Sequence, residues 1–109
     1  MEDSAERLNR MKADVLAAMA QPIRLAILDS VRDGEVCVCR IAEVIGAGRP
    51  NVSRHLALMV KAGILSSRKQ GLWVYYKLRC PCILDFLGCI ENVIRQQHDE
   101  LSAALNQKM

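Results

Sequence analysis

Long apolar segments are missing from this 109-residue chain: the longest run, Val15–Ala20, has six residues, far short of the ~20 needed to cross a bilayer. The first residues carry mixed charge without the apolar core of a secretory signal, so we expect a cytoplasmic protein that does not bind membranes. Aromatic residues make up only 4% of the chain, which argues against base stacking as a binding mode. The sequence has no serine–histidine–aspartate grouping, paired carboxylates or phosphate-binding loop, so we expect no enzyme.

Acidic residues are absent from the middle of the chain, the 41 residues from Val44 to Leu84. This stretch holds seven basic residues, whereas the rest of the chain has a net charge of −4. Such a separation is typical of a surface that binds a polyanion such as nucleic acid, although a solvated basic face without a partner has the same composition. The basic residues are Arg49, Arg54, Lys61, Arg68, Lys69, Lys77 and Arg79.

The cysteines number five, so they cannot all pair with one another within one chain. In a reducing cytosol, clustered cysteines indicate a metal-binding or redox-active site rather than structural disulfides. The length fits a single domain over residues 1–109.

Apolar periodicity predicts four helices, then a β-hairpin and then a long fifth helix. Ser4 is the expected N-cap of the first helix, Pro22 belongs to the first turn of the second, and a short third helix spans residues 39–45. Period-two alternation predicts strands over 64–70 and 72–79. The predicted fold class is mainly α with a small β-hairpin (α+β), in the order ααα-α-ββ-α.

A glycine-rich turn, Gly46–Pro50, joins the third and fourth helices, which is typical of a helix-turn-helix motif with the hairpin as a wing. On the fourth helix, Arg54 is suited to bond guanine and Asn51 adenine, while Ser53 suits a phosphate. His55 is either a base contact or an ordinary surface or core histidine. The candidate DNA-binding residues are Arg49, Asn51, Ser53, Arg54, His55, Arg68, Lys69 and Gln70.

The first and last helices each carry an apolar stripe wider than one small domain needs. One helix-turn-helix module reads few base pairs, and specific binding commonly uses two modules about 34–36 Å apart. We therefore expect a homodimer through the first and last helices, bound to double-stranded operator DNA. The alternative is that both stripes only fill the core of the monomer.

Three segments, residues 21–28, 53–58 and 68–78, resemble the ArsR/SmtB family of winged-helix metalloregulatory repressors. The segment 35–41, with its Cys-Val-Cys, resembles the arsenic-sensing branch, in which this motif lies at the start of the first helix of the helix-turn-helix. The resemblance implies a winged helix-turn-helix repressor without a permanent cofactor, which trivalent arsenic or antimony releases from operator DNA. That branch often has a third cysteine where this chain has Ala42.

Cys37 and Cys39 are the first-choice ligands of the inducer. Trivalent arsenic is soft and favours thiolates, commonly three of them. Side chains two residues apart diverge by about 200° on an α-helix, whereas they share one face of an extended segment. Both sulfurs can therefore bind one ion easily only where the segment is not helical, so binding would compete with the first turn of the helix that supports the recognition helix.

Cys80, Cys82 and Cys89 are the second-choice ligands. Cys82 and Cys89 are seven residues apart, so they share a helix face but lie ~10 Å from one another, too far for one ion unless the chain bends or a partner subunit contributes. Two roles stay open for the three thiols: a separate soft-metal site, or the missing third ligand of Cys37 and Cys39. Cys82 and Cys89 could also be ordinary buried small hydrophobic residues.

Other triggers fit the same fold. A repressor that senses thiol oxidation or persulfide, or another soft metal such as cadmium or lead, would use the same cysteines. Outside this class, a small thiol redox or metal-transfer protein would need an exposed dithiol and no DNA site. The acid-free basic segment argues against that last alternative.

Overall fold

The computed structural model describes residues 1–107, which form five helices and three strands. Their order along the chain is α1 (Ser4–Ala17), α2 (Pro22–Ser30), β1 (Val36–Cys37), α3 (Val38–Ile45), α4 (Arg49–Lys61), β2 (Leu65–Gln70), β3 (Trp73–Leu78) and α5 (Cys82–Gln107). This is a winged helix-turn-helix, as predicted: α3 and α4 are the two helices of the motif, and β2 and β3 form the wing.

Short-range hydrogen bonds fix the helix ends. Asp3, rather than the predicted Ser4, is the N-cap of α1, because its Oδ1 accepts the backbone N–H three residues on at 2.7 Å. Gln21 caps α2 in the same way, and Pro22 occupies the first turn as predicted. α3 ends at Ile45, and Gly46 after it has a φ of 75°, which lies in the left-handed region that favours glycine.

The sheet has three antiparallel strands in the order β1-β3-β2, so the prediction of a two-stranded hairpin was incomplete. β1 has only two residues, which is too short for an alternation to be visible in the sequence. In the observed register Cys37 pairs with Tyr75, and Tyr75 pairs on its other side with Arg68. These three residues therefore form one row across the sheet, from the helix-turn-helix to the wing.

The core lies between α2, α3, α4 and the base of the sheet. Its side chains are withdrawn from solvent, and each contributes about 1.5–3 kcal/mol of hydrophobic stabilisation. This packing holds α4 at a fixed orientation to α3. The fully buried residues are Ile27, Leu28, Val31, Ile41, Val52, Leu56, Met59, Ile64 and Leu65.

The terminal helices α1 and α5 have no fully buried residue along their described length. Ile83 and Leu87 of α5 pack against the core, but most apolar residues of the two helices are exposed, so filling the monomer core accounts for only part of the stripes. No helix within residues 1–107 combines the length and apolar character of a membrane span. The exposed apolar residues of the two helices are Leu8, Met11, Val15, Leu16, Phe86, Ile90, Val93, Ile94, Leu101 and Leu105.

Candidate DNA interface and thiol sites

The N-terminal half of α4 presents the side chains predicted to meet DNA. Arg49, Ser53 and Arg54 are exposed, and Asn51 is half-buried. The buried Val52 fixes this orientation, because it turns one face of α4 into the core. Arg54 Nη2 donates a hydrogen bond to Asn51 Oδ1 at 3.2 Å, so the two predicted base-reading side chains lie side by side.

His55 lies half-buried on the next turn of α4, facing α2. Its Nδ1 accepts a hydrogen bond from Arg24 Nε at 3.1 Å. A neutral histidine that accepts at Nδ1 carries its proton on Nε2, so Nε2 is the atom left for a DNA contact. Arg24 Nη1 also donates to the carbonyl of Ala17 at 3.3 Å. Arg24 was not among the predicted site residues, since nothing in local sequence spacing brings α2 to α4.

The wing places Lys69 and Gln70 at its exposed tip, beside a turn at Gly71 with φ 63°. Arg68, another candidate DNA-binding residue, is held by a carboxylate of the same chain. Its Nε and Nη2 donate to the two carboxylate oxygens of Glu35 at 2.8 and 2.6 Å. Its guanidinium carbon lies 4.8 Å from the centre of the Tyr75 ring.

Glu35 is a second residue that sequence analysis missed. The paired hydrogen bonds from Arg68 lower the pKa of the Glu35 carboxyl, and the same contact raises the pKa of Arg68. Glu35 comes two residues before Cys37 in the chain. Arg68 therefore reaches over Tyr75 and ties the wing to the segment that leads into the first thiol pair.

Cys37 and Cys39 lie at the junction of β1 and α3, both half-buried. Cys37 is extended, with φ −69° and ψ 144°, and it precedes the first helical residue. Burial is the main cause that raises the pKa of the Cys39 thiol, and the nearby Cys37 thiol raises it further. The Cys37 thiol thus acts on the Cys39 thiol from just before the helix, whereas two residues at this spacing within a continuous helix would diverge. Ala42, at the position of a third cysteine, is buried in the core.

Cys80 and Cys82 form a second thiol pair, with 2.9 Å between their Sγ atoms. Both are exposed in the single chain, and so is Cys89 further along α5, so neither Cys82 nor Cys89 belongs to the core of one subunit. The hydrogen bond with Cys80 is the main cause that raises the pKa of Cys82. Within the part of the chain that the structure describes, no three histidine, cysteine or acidic side chains converge to hold a metal ion. Three thiols are therefore not brought together in one subunit.

Comparison with known proteins identifies the family. Residues 21–67 match the model of "bacterial regulatory protein, arsR family". The nodulation protein NolR of Rhizobium meliloti is 31% identical over 87 residues, which are 80% of this chain and 71% of the relative. The chain belongs to the ArsR family. The resemblance predicted from residues 21–28, 53–58 and 68–78 is confirmed.

Two further ArsR-family relatives bear on DNA binding and on the inducer. The arsenic resistance transcriptional regulator ArsR1 of Pseudomonas putida is 49% identical over 47 residues, 43% of this chain and 37% of the relative, so the match spans little more than a third of that protein. A homodimeric winged helix-turn-helix DNA-binding domain from Mycobacterium bovis, a possible ArsR-family transcriptional regulator, superposes with a TM-score of 0.78 at 25% identity, covering 92% of this chain and 93% of the other. The first of these two relatives is thus a transcriptional regulator and the second a DNA-binding domain.

Proposed function

We propose that this chain is a transcriptional repressor that binds operator DNA as a homodimer and leaves it when trivalent arsenic or antimony binds Cys37 and Cys39. The observation that carries the proposal is the position of this thiol pair, at the junction where β1 passes into α3. α3 is the helix that supports the recognition helix α4. A ligand there acts directly on the DNA-binding motif.

The chemistry of the thiol pair suits an uncharged inducer. Arsenous acid exchanges two hydroxyls for the sulfurs of Cys37 and Cys39, and the two thiol protons leave with those hydroxyls as two waters. Arsenic stays trivalent and keeps its third hydroxyl, because Ala42 offers no sulfur. The product is neutral, which matters because an unpaired charge is costly in a half-buried site.

The first turn of α3 is the element on which the inducer would act. Cys37 is the N-cap of α3 but makes no side-chain capping hydrogen bond. The backbone N–H groups of the first turn therefore lack the hydrogen bond that a serine or aspartate N-cap would accept. A ligand that holds both sulfurs favours extended backbone from Cys37 to Cys39 and opposes that turn. The buried Val38 and Ile41 would transmit the change to the core and shift α3 relative to α4. Couplings of this kind are typically ~1–3 kcal/mol.

The Glu35–Arg68 ion pair offers a second route, from the thiols to the wing. Movement of β1 changes the position of Glu35, and Arg68 is bound to both of its carboxylate oxygens. Arg68 in turn belongs to the strand that leads to Lys69 at the wing tip. Inducer binding would thus disturb both DNA-contacting elements, the recognition helix and the wing.

A homodimer accounts for the exposed stripes of α1 and α5. Their apolar residues are exposed in the single chain, and covering them would remove this surface from water. The Mycobacterium bovis relative, which superposes over nearly the whole chain, is homodimeric. Two recognition helices would then meet two half-sites of operator DNA.

The test is fluorescence anisotropy on an operator selected from a random DNA pool. We expect arsenite to release the wild-type protein, whereas Cys37→Ser and Cys39→Ser bind the same DNA and ignore arsenite. Cys89→Ser is the matched control, because it removes an exposed thiol of α5, outside the helix-turn-helix, and it should respond like the wild type. Release of the Cys37→Ser and Cys39→Ser variants by arsenite would refute the proposal. Parallel titrations with cadmium, lead, peroxide and persulfide distinguish the other triggers.

A further inference from the structure

We propose that the wing reads A·T base pairs in the minor groove of the operator, with Gln70 as the residue that contacts the base pair and Arg68 as the residue that orients Gln70. This inference rests on the proposed function, because it needs operator DNA, and it adds a base preference to the wing. A chain of hydrogen bonds on one face of the hairpin carries it, because this chain directs the donor end of the Gln70 amide outward.

Arg68 is held in place by two residues outside its own strand. Its Nε and Nη2 donate to the two carboxylate oxygens of Glu35 at 2.8 and 2.6 Å, and its guanidinium carbon lies 4.8 Å from the centre of the Tyr75 ring. The remaining nitrogen, Nη1, donates to Gln70 Oε1 at 2.7 Å. Because Glu35 fixes the other two nitrogens, Nη1 has a definite direction, toward the tip of the wing.

The amide of Gln70 can face Arg68 in only one way. A guanidinium has donors but no acceptor, so the amide turns its oxygen toward Nη1. The two hydrogens on Gln70 Nε2 are then directed away from Arg68, on a side chain that is exposed beside the turn of the wing. The tip therefore presents a hydrogen-bond donor whose orientation is set before DNA arrives.

A donor at the wing tip selects one kind of base pair in the minor groove. There, an A·T pair in either orientation offers only acceptors, adenine N3 and thymine O2, whereas a G·C pair adds a donor, the N2 amino group of guanine. Gln70 Nε2 bonds the acceptors, but it meets the amino group donor to donor. Leu72 adds to the preference, because this 92% exposed side chain would leave that amino group without a partner.

The shape and charge of the wing suit the minor groove. Gln70 pairs with Trp73 in the register, so only Gly71 and Leu72 form the turn, a two-residue connection. Such a tip fits a groove about 6 Å wide, while the major groove, about 12 Å wide, takes the recognition helix α4. The exposed Lys69 beside the tip adds positive charge, which the narrow minor groove of A·T-rich DNA attracts.

The test uses inosine, which is guanine without the N2 amino group, so an I·C pair resembles A·T in the minor groove and G·C in the major groove. In the selected operator, each A·T pair that flanks the half-sites read by α4 is replaced in turn by G·C and by I·C. Anisotropy gives the affinity of the full-length wild-type protein for each duplex. We expect at least one position per half-site at which G·C lowers the affinity roughly 2- to 10-fold, the range for one lost hydrogen bond, and I·C restores it.

Variants assign this preference to the two residues. Gln70→Glu keeps an acceptor for Arg68 but has no donor, so the preference for A·T over G·C should disappear or reverse, whatever the added charge does to both affinities. Arg68→Ala should lower the A·T-to-G·C affinity ratio, since the amide can then turn over, and Arg68→Lys should keep part of it because lysine also only donates. Lys69→Ala is the matched control, which weakens binding to both duplexes and leaves the ratio unchanged.

Three results would overturn the assignment of Gln70. One is a bound operator with no flanking position at which G·C weakens binding, and another is I·C behaving like G·C, which places the contact outside the minor groove. The third is a preference that survives Gln70→Glu, which indicates readout of groove width instead of a hydrogen bond. An unchanged ratio in Arg68→Ala would refute the orienting role of Arg68. A protein that binds no operator refutes the proposed function itself, so the two failures are distinguishable.

Discussion

Arg24 Nε donates a hydrogen bond to Nδ1 of His55 at 3.1 Å, and this contact joins α2 to the recognition helix. The same guanidinium donates to the carbonyl of Ala17 at the end of α1. The half-buried side chain of Arg24 on α2 therefore links α1, which is expected to form the dimer, to the recognition helix α4. The orientation of α4 depends on this link as well as on its buried residues.

Arg24→Ala is expected to lower the free energy of unfolding by about 1.5–3 kcal/mol, the range for hydrogen bonds that involve a charged group. If His55 is the acceptor for Arg24, neither His55→Ala nor the double variant should lower the free energy of unfolding more than Arg24→Ala alone does. Urea unfolding of the three variants tests this non-additive double-mutant cycle. Arg32→Ala is the control, because its exposed pair with Asp29 should contribute little. Additive losses, with a changed base preference for His55→Ala alone, would make His55 a base contact instead.

Glu35→Gln is expected to strengthen DNA binding at low salt, because Arg68 loses its carboxylate partner and becomes available for a phosphate. The slope of log affinity against log salt should steepen by about one unit. Lys69→Ala is the matched change in the opposite sense and should flatten the slope by about one unit. Both are measured by anisotropy over a salt series. Weaker binding by Glu35→Gln would show that the pair is needed to hold the wing in place.

The Glu35 carboxyl also gives a pH dependence with a definite sign. Arg68 lowers the pKa of folded Glu35 below its ordinary value of 4.5, so the folded state binds this proton less readily than the unfolded state. The stabilisation is therefore complete above pH 4.5 and is lost as the pH falls through the lowered pKa. Urea midpoints of the wild type and Glu35→Gln should differ at neutral pH and converge in acid. A constant difference at every pH would contradict this assignment.

Long elements with a clear period were predictable from the sequence, and short ones were not. Helices as long as α2, α4 and α5 span at least two turns, so their apolar residues recur often enough to reveal the buried face. β1 has two residues and exists because Cys37 pairs with Tyr75 in a distant part of the chain. The Asp3 cap is a smaller case, since Asp3 and Ser4 are both good N-caps and only the observed hydrogen bond separates them.

The candidate site shows the same division. The two thiols of Cys37 and Cys39, and the polar residues at the start of α4, are visible as residue types at a meaningful spacing. The partners Arg24 and Glu35 are ordinary charged residues whose contacts lie 31 and 33 positions away along the chain. Only the packing of α2 on α4, and of β1 on β3, gives them a role.

Gly46→Ala is expected to destabilise the protein by about 1 kcal/mol, because the residue after α3 has φ 75° and a Cβ is disfavoured in this conformation. A Cβ built there meets nothing within 4 Å, so the cost is backbone strain and not a clash. Gly46→Asn should cost less, since asparagine tolerates the left-handed conformation better. Thermal unfolding measures both variants. Equal losses for alanine and asparagine would argue against a conformational cause.

Ile94→Glu is expected to convert the homodimer into monomers, since Ile94 is 59% exposed in the single chain and lies in the apolar stripe of α5. A monomer has one recognition helix, so its operator affinity should fall by roughly 10²-fold or more. Asp99→Lys is the charge control, because position 99 is about 140° around the helix from position 94 and should stay in solvent. Sedimentation velocity gives the oligomeric state and anisotropy gives the affinity. A dimeric Ile94→Glu variant with normal DNA binding would move the interface away from this part of α5 and toward α1.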